Sequence, residues 1–190
     1  MNGIPCETEL VEGLIDETIL NRAQQADLVI MGFRGEDTEW PGAPLGSHFE
    51  AVVRQSPQPV LGIPARVAGP DHILLAFDGS PHGFHALEIA AYLARKGRRN
   101  LTMLTINVDP FRTKTLNLSV RRYLQDQGVS VTYQFRKGPV VNTILQTAEN
   151  EGCDLIILGA YGHNPGQPGR LGSDAYAILQ ATNMPVLVCR

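Results

Sequence analysis

The chain has 190 residues, of which 16 are Lys or Arg and 19 are Asp or Glu, with a formal net charge of −3. Binding to nucleic acid is not expected, because it needs a concentrated basic face. A membrane partner is not expected either, because no apolar run approaches the ~20 residues of a membrane span.

Residues 1–12 lack the basic start and apolar middle of a signal peptide. The three cysteines, Cys6, Cys153 and Cys189, have neither metal-site nor redox-motif spacing, which favours small apolar side chains in a reducing compartment. We therefore expect a cytoplasmic protein with no metal bound by cysteine.

The first predicted elements lie in residues 27–64. An apolar run at 28–32 is followed by Gly35, by Gly46 and Ser47 at the start of a helix-like stretch, and by a second apolar run at 60–63. This order is typical of a strand, a phosphate-binding loop, a helix and a strand.

Residues 71–152 predict alternating strands and helices. An apolar strand at 72–77 ends at Asp78-Gly79-Ser80-Pro81, where Ser80 can cap a helix and Pro81 suits its first position. That helix ends at Gly97. A second strand follows at 101–108, then a helix ending at 128, a strand at 129–135 and a helix from 140 to 152.

Residues 154–189 repeat the pattern of 27–64. A strand at 155–159 is followed by Gly162, by Gly172-Ser173, by a helix at 173–182 with Ser173 as its cap, and by a strand at 185–189. The match extends upstream to Gly3 and Gly128, but residues 71–127 have no counterpart. We therefore divide the chain into a first repeat (1–66), a linker (67–70) and a second repeat (71–190). The repeating unit is the size of a domain, which excludes a solenoid of short repeats.

Alternating strands and helices imply parallel strands in an open α/β sheet. The all-apolar strands at 72–77, 155–159 and 185–189 should be buried on both faces. In such sheets, ligands bind beyond the carboxyl ends of the strands, where the strand order reverses. The loops at Asp78 and at 159–173 therefore share one crevice if their strands are neighbours.

The glycine loop of the second repeat has the chemistry of a phosphate site. Gly159 and Gly162 let the main chain approach closely, and Gly172 and Ser173 open a helix whose free N–H groups attract anions. The Ser173 hydroxyl could add a hydrogen bond, and Arg170 could pair with phosphate charge. The alternatives are that the glycines merely turn the chain and that Arg170 is solvated.

The chain resembles the universal stress protein family. The residues that carry the resemblance are Ala76-Phe77-Asp78-Gly79-Ser80, Gly159-x-x-Gly162 followed after nine residues by Gly172-Ser173, and Pro185-Val186-Leu187-Val188. The resemblance covers one full domain and the latter half of a preceding one. It implies an open five-stranded parallel sheet of order 3-2-1-4-5 flanked by helices, plus a partial copy of the same fold, with pairing through fifth strands. Many members bind ATP, and others with a degraded glycine motif do not.

The resemblance also implies roles for single residues. Asp78 resembles the acid that contacts the nucleoside, although Asp is also common where a turn leads into a helix. The main chain of Val108 resembles the position that meets adenine. The residues expected to bind the nucleotide are Ala76, Asp78, Ser80, Val108, Gly159, Gly162, Arg170, Gly172 and Ser173. The expected ligand is ATP, or ADP or AMP, with or without Mg²⁺.

The first repeat departs from this pattern. Its loop has ten residues rather than nine between Gly35 and Gly46, and no Asp-Gly-Ser strand precedes it, so we expect no complete nucleotide site there. It retains counterparts of strands three, four and five, which leaves the strand at 28–32 with a bare edge. Three explanations are open: the chain is part of a longer tandem protein, a second chain completes the first repeat, or Val60–Ile63 docks antiparallel on Val186–Cys189. We favour the first of these, with the fifth-strand pairing retained within or between chains.

The expected function is that of an ATP-binding stress-response or regulatory module with one nucleotide site, in the second repeat. At most slow ATP hydrolysis is expected, because the chain has no Walker-type Gly-Lys-Ser/Thr, no evident metal-holding acid pair and no Ser-His-Asp arrangement. One alternative is a nucleotide-free dimerisation scaffold, which Ala160-Tyr161 in the glycine loop favours. The other is an adenylyl-transferring enzyme, which would need an additional substrate pocket.

Overall fold

The computed structural model describes residues 4–35, 44–65, 67, 69–107, 110–162 and 171–190, with the backbone alone for 110–117. The helices in these ranges are α1 (Ile15–Ala23), α2 (Ser47–Gln55), α3 (Pro81–Gly97), α4 (Pro110–Asp126), α5 (Val140–Asn150) and α6 (Ser173–Ala181). The strands are β1 (Val29–Gly32), β2 (Val60–Ile63), β3 (His72–Ala76), β4 (Asn100–Ile106), β5 (Val131–Arg136), β6 (Leu155–Gly159) and β7 (Val186–Cys189).

The strands of the described residues form one sheet of order β1-β2-β7-β6-β3-β4-β5. Within it, the strands of the second repeat are all parallel to their neighbours and run in the order β5-β4-β3-β6-β7. This is the predicted 3-2-1-4-5 arrangement, and β3 and β6 are neighbours as expected. The whole sheet is longer than the predicted five-stranded one, because β2 and β1 extend it beyond β7.

The two repeats meet where β2 pairs antiparallel with β7. Leu61 lies opposite Leu187, and the sequence repeat makes these two residues equivalent. The flanking pairs, Val60 with Val188 and Gly62 with Val186, also exchange equivalent positions. A local twofold axis therefore relates β2 to β7. The expected antiparallel docking of the two fifth strands occurs within the chain.

Helices cover the two faces of the sheet unequally. One face packs against α3 and α4 through residues such as Leu87 and Leu124. The opposite face packs against α5 and α6, and in the first repeat against α1 and α2. The strands β3, β6 and β7 supply residues to both cores, so their predicted burial on two faces is confirmed.

Local signals explain the ends of α3. The Ser80 hydroxyl oxygen accepts a hydrogen bond from the Gly83 N–H at 3.0 Å, and Pro81 is the first helical residue, as predicted. The helix ends at Gly97, also as predicted, but the left-handed residue that closes it is Arg98, with φ of 51°. Within the described residues, no helix is long and apolar enough to cross a membrane.

The predicted third strand of the first repeat is wrong. Described residues 4–14 contain no strand, and Ile4 and Leu10 are 89% and 99% exposed. In the second repeat, the third strand β5 pairs with β4. Within the described residues, no strand lies beside 4–14, so a strand at this position would have no neighbour to pair with.

Candidate functional site

A cavity of about 330 Å³ lies where β3 and β6 end, beside α5 and the start of α6. This volume falls within the roughly 300–1,000 Å³ of typical small-molecule sites. The position agrees with the general rule that open α/β sheets bind ligands beyond the carboxyl ends of their strands, where the order reverses. The cavity brings together the strand-end loop at Asp78 and the glycine loop, as the sequence predicts.

The strand-end loop holds Asp78 and Ser80 in different roles. Oδ1 of Asp78 accepts a hydrogen bond from the Ser80 N–H at 2.9 Å, which closes the turn into α3, and Asp78 also lines the cavity. The Ser80 side chain is buried, caps α3, and donates a hydrogen bond to the Tyr161 carbonyl oxygen at 3.3 Å. Asp78 is thus both a turn residue and a cavity residue, whereas Ser80 joins the two loops.

The glycines of the second repeat allow its loops to pack closely. A Cβ on Gly159 would lie 3.0 Å from the Gly83 nitrogen, and a Cβ on Gly172 would lie 2.9 Å from the Ala160 carbonyl oxygen. A Cβ on Gly162 would lie 3.3 Å from Oδ2 of Asp78. Glycine at these positions therefore serves packing as well as leaving the main chain open to the cavity.

The start of α6 forms one side of the cavity. Gly172, not Ser173, is the N-cap residue, and no side chain caps this helix. The prediction of Ser173 as the cap is wrong because the chain has already turned helical there, and the Gly172 N–H donates to the Ala160 carbonyl oxygen at 2.9 Å. Ser173 and Asp174, in the first turn, both line the cavity.

Apolar side chains form the wall between these two polar ends. The apolar residues that line the cavity include Leu104, Ile106, Val140, Ile144, Leu158 and Ile178. The sequence predicts Val140 and Ile144 only as part of the helix from 140 to 152 and does not connect them with the site. Their spacing fits both roles, so only the position of α5 beside β4 and α6 identifies them as lining residues.

The predicted site residues divide into three groups. Those that line the cavity are Ala76, Asp78, Gly159, Gly162, Gly172 and Ser173. Ser80 lies behind the lining, where it caps α3. Val108 and Arg170 lie outside the described residues.

Among the residues that the structure describes, no three His, Cys, Asp or Glu side chains cluster in a way that could hold a metal ion.

The corresponding loop of the first repeat has the same backbone hydrogen bond at the helix start, but it has Phe33 where the second repeat has Ala160. The Gly46 N–H donates to the Phe33 carbonyl oxygen at 2.8 Å, as Gly172 does to Ala160 in the second repeat. Phe33 is 1% exposed and packs edge-on against Phe49, with 5.3 Å between ring centroids. The Phe33 ring lies against Gly62, whose repeat equivalent is Val188, so the larger side chain at 33 is accompanied by a glycine at 62.

Comparisons with known proteins agree with this fold. The sequence model described as the universal stress protein family matches residues 2–64 and 111–190. Universal stress protein Slr1230 from Synechocystis sp. is 28% identical over 167 residues, which cover 86% of this chain and 58% of that protein. The chain spans 58% to 64% of the length of the first curated relatives that it matches.

Solved structures show the same architecture. A universal stress protein from Archaeoglobus fulgidus has a TM-score of 0.74 at 24% identity, over 92% of this chain and 64% of that one. A universal stress protein in complex with cAMP has a TM-score of 0.55 at 17% identity, over 65% of this chain and 98% of that one. At these identities the likeness concerns the fold.

Proposed function

The chain belongs to the universal stress protein family, and we propose that its second repeat, residues 71–190, is a domain that binds one adenine nucleotide and serves a regulatory role in the stress response. The observation that carries the proposal is the cavity at the ends of β3 and β6. The Asp78 carboxylate lies on one side of the cavity, and the start of α6, with Gly172 as its N-cap residue, lies on the other. Apolar residues lie between them.

The apolar wall suits the base of a nucleotide. Leu104 and Ile106 extend from β4 and Leu158 extends from β6, and Val140 and Ile144 line the same cavity from α5. An adenine ring inserted here would bury apolar surface at about 25 cal/mol per Å². Oδ2 of Asp78 can accept a hydrogen bond from a ribose hydroxyl while Oδ1 keeps the turn into α3 closed.

The start of α6 suits the phosphates. The N-terminal N–H groups of a helix attract anions through their free donors and the helix dipole. Gly172 places no side chain over this helix end, and the Ser173 hydroxyl can donate to a phosphate oxygen. Gly162 also lines the cavity, and a Cβ there would lie 3.3 Å from Oδ2 of Asp78.

We propose ATP with Mg²⁺ as the ligand. Two carboxylates, Asp78 and Asp174, line the cavity and would repel a bare triphosphate. Mg²⁺ prefers carboxylate and phosphate oxygens and would supply the compensating charge. The complex of a related universal stress protein with cAMP supports an adenine nucleotide as the class of ligand.

Calorimetric titration with Mg-ATP tests the proposal on two pairs of variants. Ser173→Ala should weaken the binding of Mg-ATP by up to about tenfold, since it removes one hydrogen bond. Ser47→Ala, at the equivalent position of the first repeat, should leave the affinity unchanged. Asp78→Asn keeps an acceptor for the turn but removes the charge, and should weaken binding about tenfold or more. Asp126→Asn, an exposed carboxylate at the end of α4, is its control.

Equal affinities in all five proteins would place the bound nucleotide elsewhere and overturn the assignment of this cavity. Failure of the wild type to bind ATP, ADP, AMP or cAMP would overturn nucleotide binding itself. The antiparallel pairing of β2 with β7 would then favour the alternative of a scaffold that joins two domains of this type.

A further inference from the structure

Arg190 connects the first repeat to the glycine loop of the second. Its Nη1 donates a hydrogen bond to the carbonyl oxygen of Arg54, in the last turn of α2, at 2.6 Å. Its guanidinium carbon lies 5.6 Å from the centroid of the Tyr161 ring, which is within the range of a cation–π contact. The carbonyl oxygen of Arg190 also contacts Nδ1 of His85 in α3.

Tyr161 lies at the other end of this connection and lines the cavity. Its carbonyl oxygen accepts the Ser80 hydroxyl, and its ring lies 5.2 Å from the ring of His82. The preceding N–H, that of Ala160, donates to the Cys189 carbonyl oxygen at 2.7 Å. The first residues of the glycine loop, Ala160 and Tyr161, are thus held between the start of α3 on one side and residues 189–190 on the other.

The same crossing occurs in the opposite direction. Arg34 occupies the position in the first repeat that Tyr161 occupies in the second, and its Nη2 donates to the Gln180 carbonyl oxygen at 3.0 Å. Gln180, in the last turn of α6, is the repeat equivalent of Arg54. Side chains therefore cross the β2–β7 junction to a late carbonyl of α2 and to the equivalent carbonyl of α6.

We propose that Arg190 and Tyr161 are positioning residues that couple the docking of the first repeat to nucleotide binding in the second. The first repeat fixes the Arg190 guanidinium through the Arg54 carbonyl, and that guanidinium fixes the Tyr161 ring at the edge of the cavity. The proposal rests on the proposed function, because it concerns the affinity of the same site.

Two consequences follow from this coupling. Removing either side chain weakens nucleotide binding about fivefold, the loss expected for one cation–π contact of about 1 kcal/mol. Because coupling between two sites is reciprocal, a bound nucleotide also strengthens the docking of α2 and β2. This second effect separates coupling from a simple loss of contact with the ligand.

The experiment combines titration and hydrogen exchange on the full chain. Mg-ATP affinity is measured for the wild type, Arg190→Ala, Tyr161→Leu and the double variant, with Tyr161→Phe as the conservative replacement that keeps the ring. Arg136→Ala, an exposed arginine of β5 on the far edge of the sheet, is the control for loss of a cation. Amide exchange in α2 and β2 is followed with and without Mg-ATP.

We expect Arg190→Ala and Tyr161→Leu each to weaken binding about fivefold, and the double variant to be no weaker than either single one. Tyr161→Phe should restore most of the affinity. Nucleotide should slow exchange in α2 and β2 of the wild type and of Arg136→Ala, but not of Arg190→Ala.

The coupling would be overturned if Arg190→Ala bound Mg-ATP as tightly as the wild type. It would also be overturned if Mg-ATP slowed amide exchange in α2 and β2 of that variant as much as in the wild type. Either result would leave the nucleotide site standing. Weaker binding with additive losses would assign both side chains to separate contacts and would likewise contradict the proposal. Absence of nucleotide binding in the wild type would overturn the proposed function and this inference together.

Discussion

The carboxylate of Asp78 combines the two roles that its sequence context allows. Oδ1 closes the turn that begins α3, and the same side chain lines the cavity. Sequence reasoning treated these roles as alternatives, because an Asp before Gly and Ser is common in turns. The turn role therefore leaves this side chain at the cavity, and its contact with the nucleoside stays a prediction.

Burial governs the chemistry of two of the three cysteines. Burial raises the pKa of the Cys189 thiol to about 12, and burial with the nearby Glu151 and Asp154 does the same for Cys153. Cys6 is exposed, so the expectation of small apolar side chains suits only Cys153 and Cys189. We predict that iodoacetamide at pH 8 modifies Cys6 alone in the native protein, because the thiolate is the reactive form.

Mass spectrometry of the labelled peptides checks this prediction, with the denatured protein as the control in which all three cysteines react. Rapid labelling of Cys189 in the native state would show that the core between the sheet and α3, which contains this residue, opens.

The raised pKa of the Cys189 thiol also makes the stability of the protein depend on pH. An unfolded thiol ionises near pH 9 and the folded one near pH 12, so the free energy of unfolding should fall as pH rises through this interval. Cys189→Ala should reduce that slope.

At the scale of elements, the second repeat could be predicted well because its signals are local. A Ser-Pro start and a glycine end define α3, and the predicted bounds match the observed ones. The continuous apolar runs of β3, β6 and β7 indicated burial on two faces, which the structure confirms. The strand order, which makes β3 and β6 neighbours, was implied by the family resemblance and not by these local signals.

The elements that could not be predicted depend on partners distant in sequence. Residues 4–14 carry apolar side chains but form no strand, because no strand among the described residues lies beside them to pair with. Gly172 is the N-cap residue of α6 in place of Ser173, because the chain is already helical at Ser173. The cavity wall formed by α5 depends on where that helix packs, which its periodicity does not specify.

The strands β1 and β6 are repeat equivalents in different environments. Ile30 of β1 is 57% exposed, whereas the equivalent Ile157 of β6 is fully buried beneath α3. Leu28 and Leu155 differ in the same way, at 39% and 3%. The difference arises because the described part of the first repeat has helices on one face of the sheet only.

These equivalent positions allow a matched test of burial. Ile157→Thr should lower the free energy of unfolding by about 2 kcal/mol or more, because it removes packed methylene and buries a hydroxyl. Ile30→Thr should change it by less than about 0.5 kcal/mol, since the site is exposed and the replacement is also β-branched. Urea unfolding of both variants measures the difference.

Similar losses in the two variants would contradict this account of β1. Such a result would mean that Ile30 is covered in solution, for example by a further polypeptide segment or a second chain. A loss that grows with protein concentration would identify the second chain.

For the whole molecule, the β2–β7 junction is the feature that relates the repeats. Leu61 faces its own equivalent, Leu187, and Arg34 and Arg190 cross the junction in opposite directions. The cavity nevertheless belongs to the second repeat alone, because the strand-end loop at Asp78 has no counterpart in the first. The chain therefore combines a symmetric junction with an asymmetric distribution of candidate binding residues.

The central claim is that the cavity between the strand-end loop and the start of α6 holds an adenine nucleotide. The most direct measurement is chromatography of the nucleotide released when freshly purified protein is denatured, after incubation with Mg-ATP and removal of the unbound excess. The account predicts one adenine nucleotide per chain from the wild type and from Ser47→Ala, and a marked loss from the double variant Asp78→Asn, Ser173→Ala. A wild type that retains no nucleotide, or a double variant that retains as much as the wild type, would contradict it.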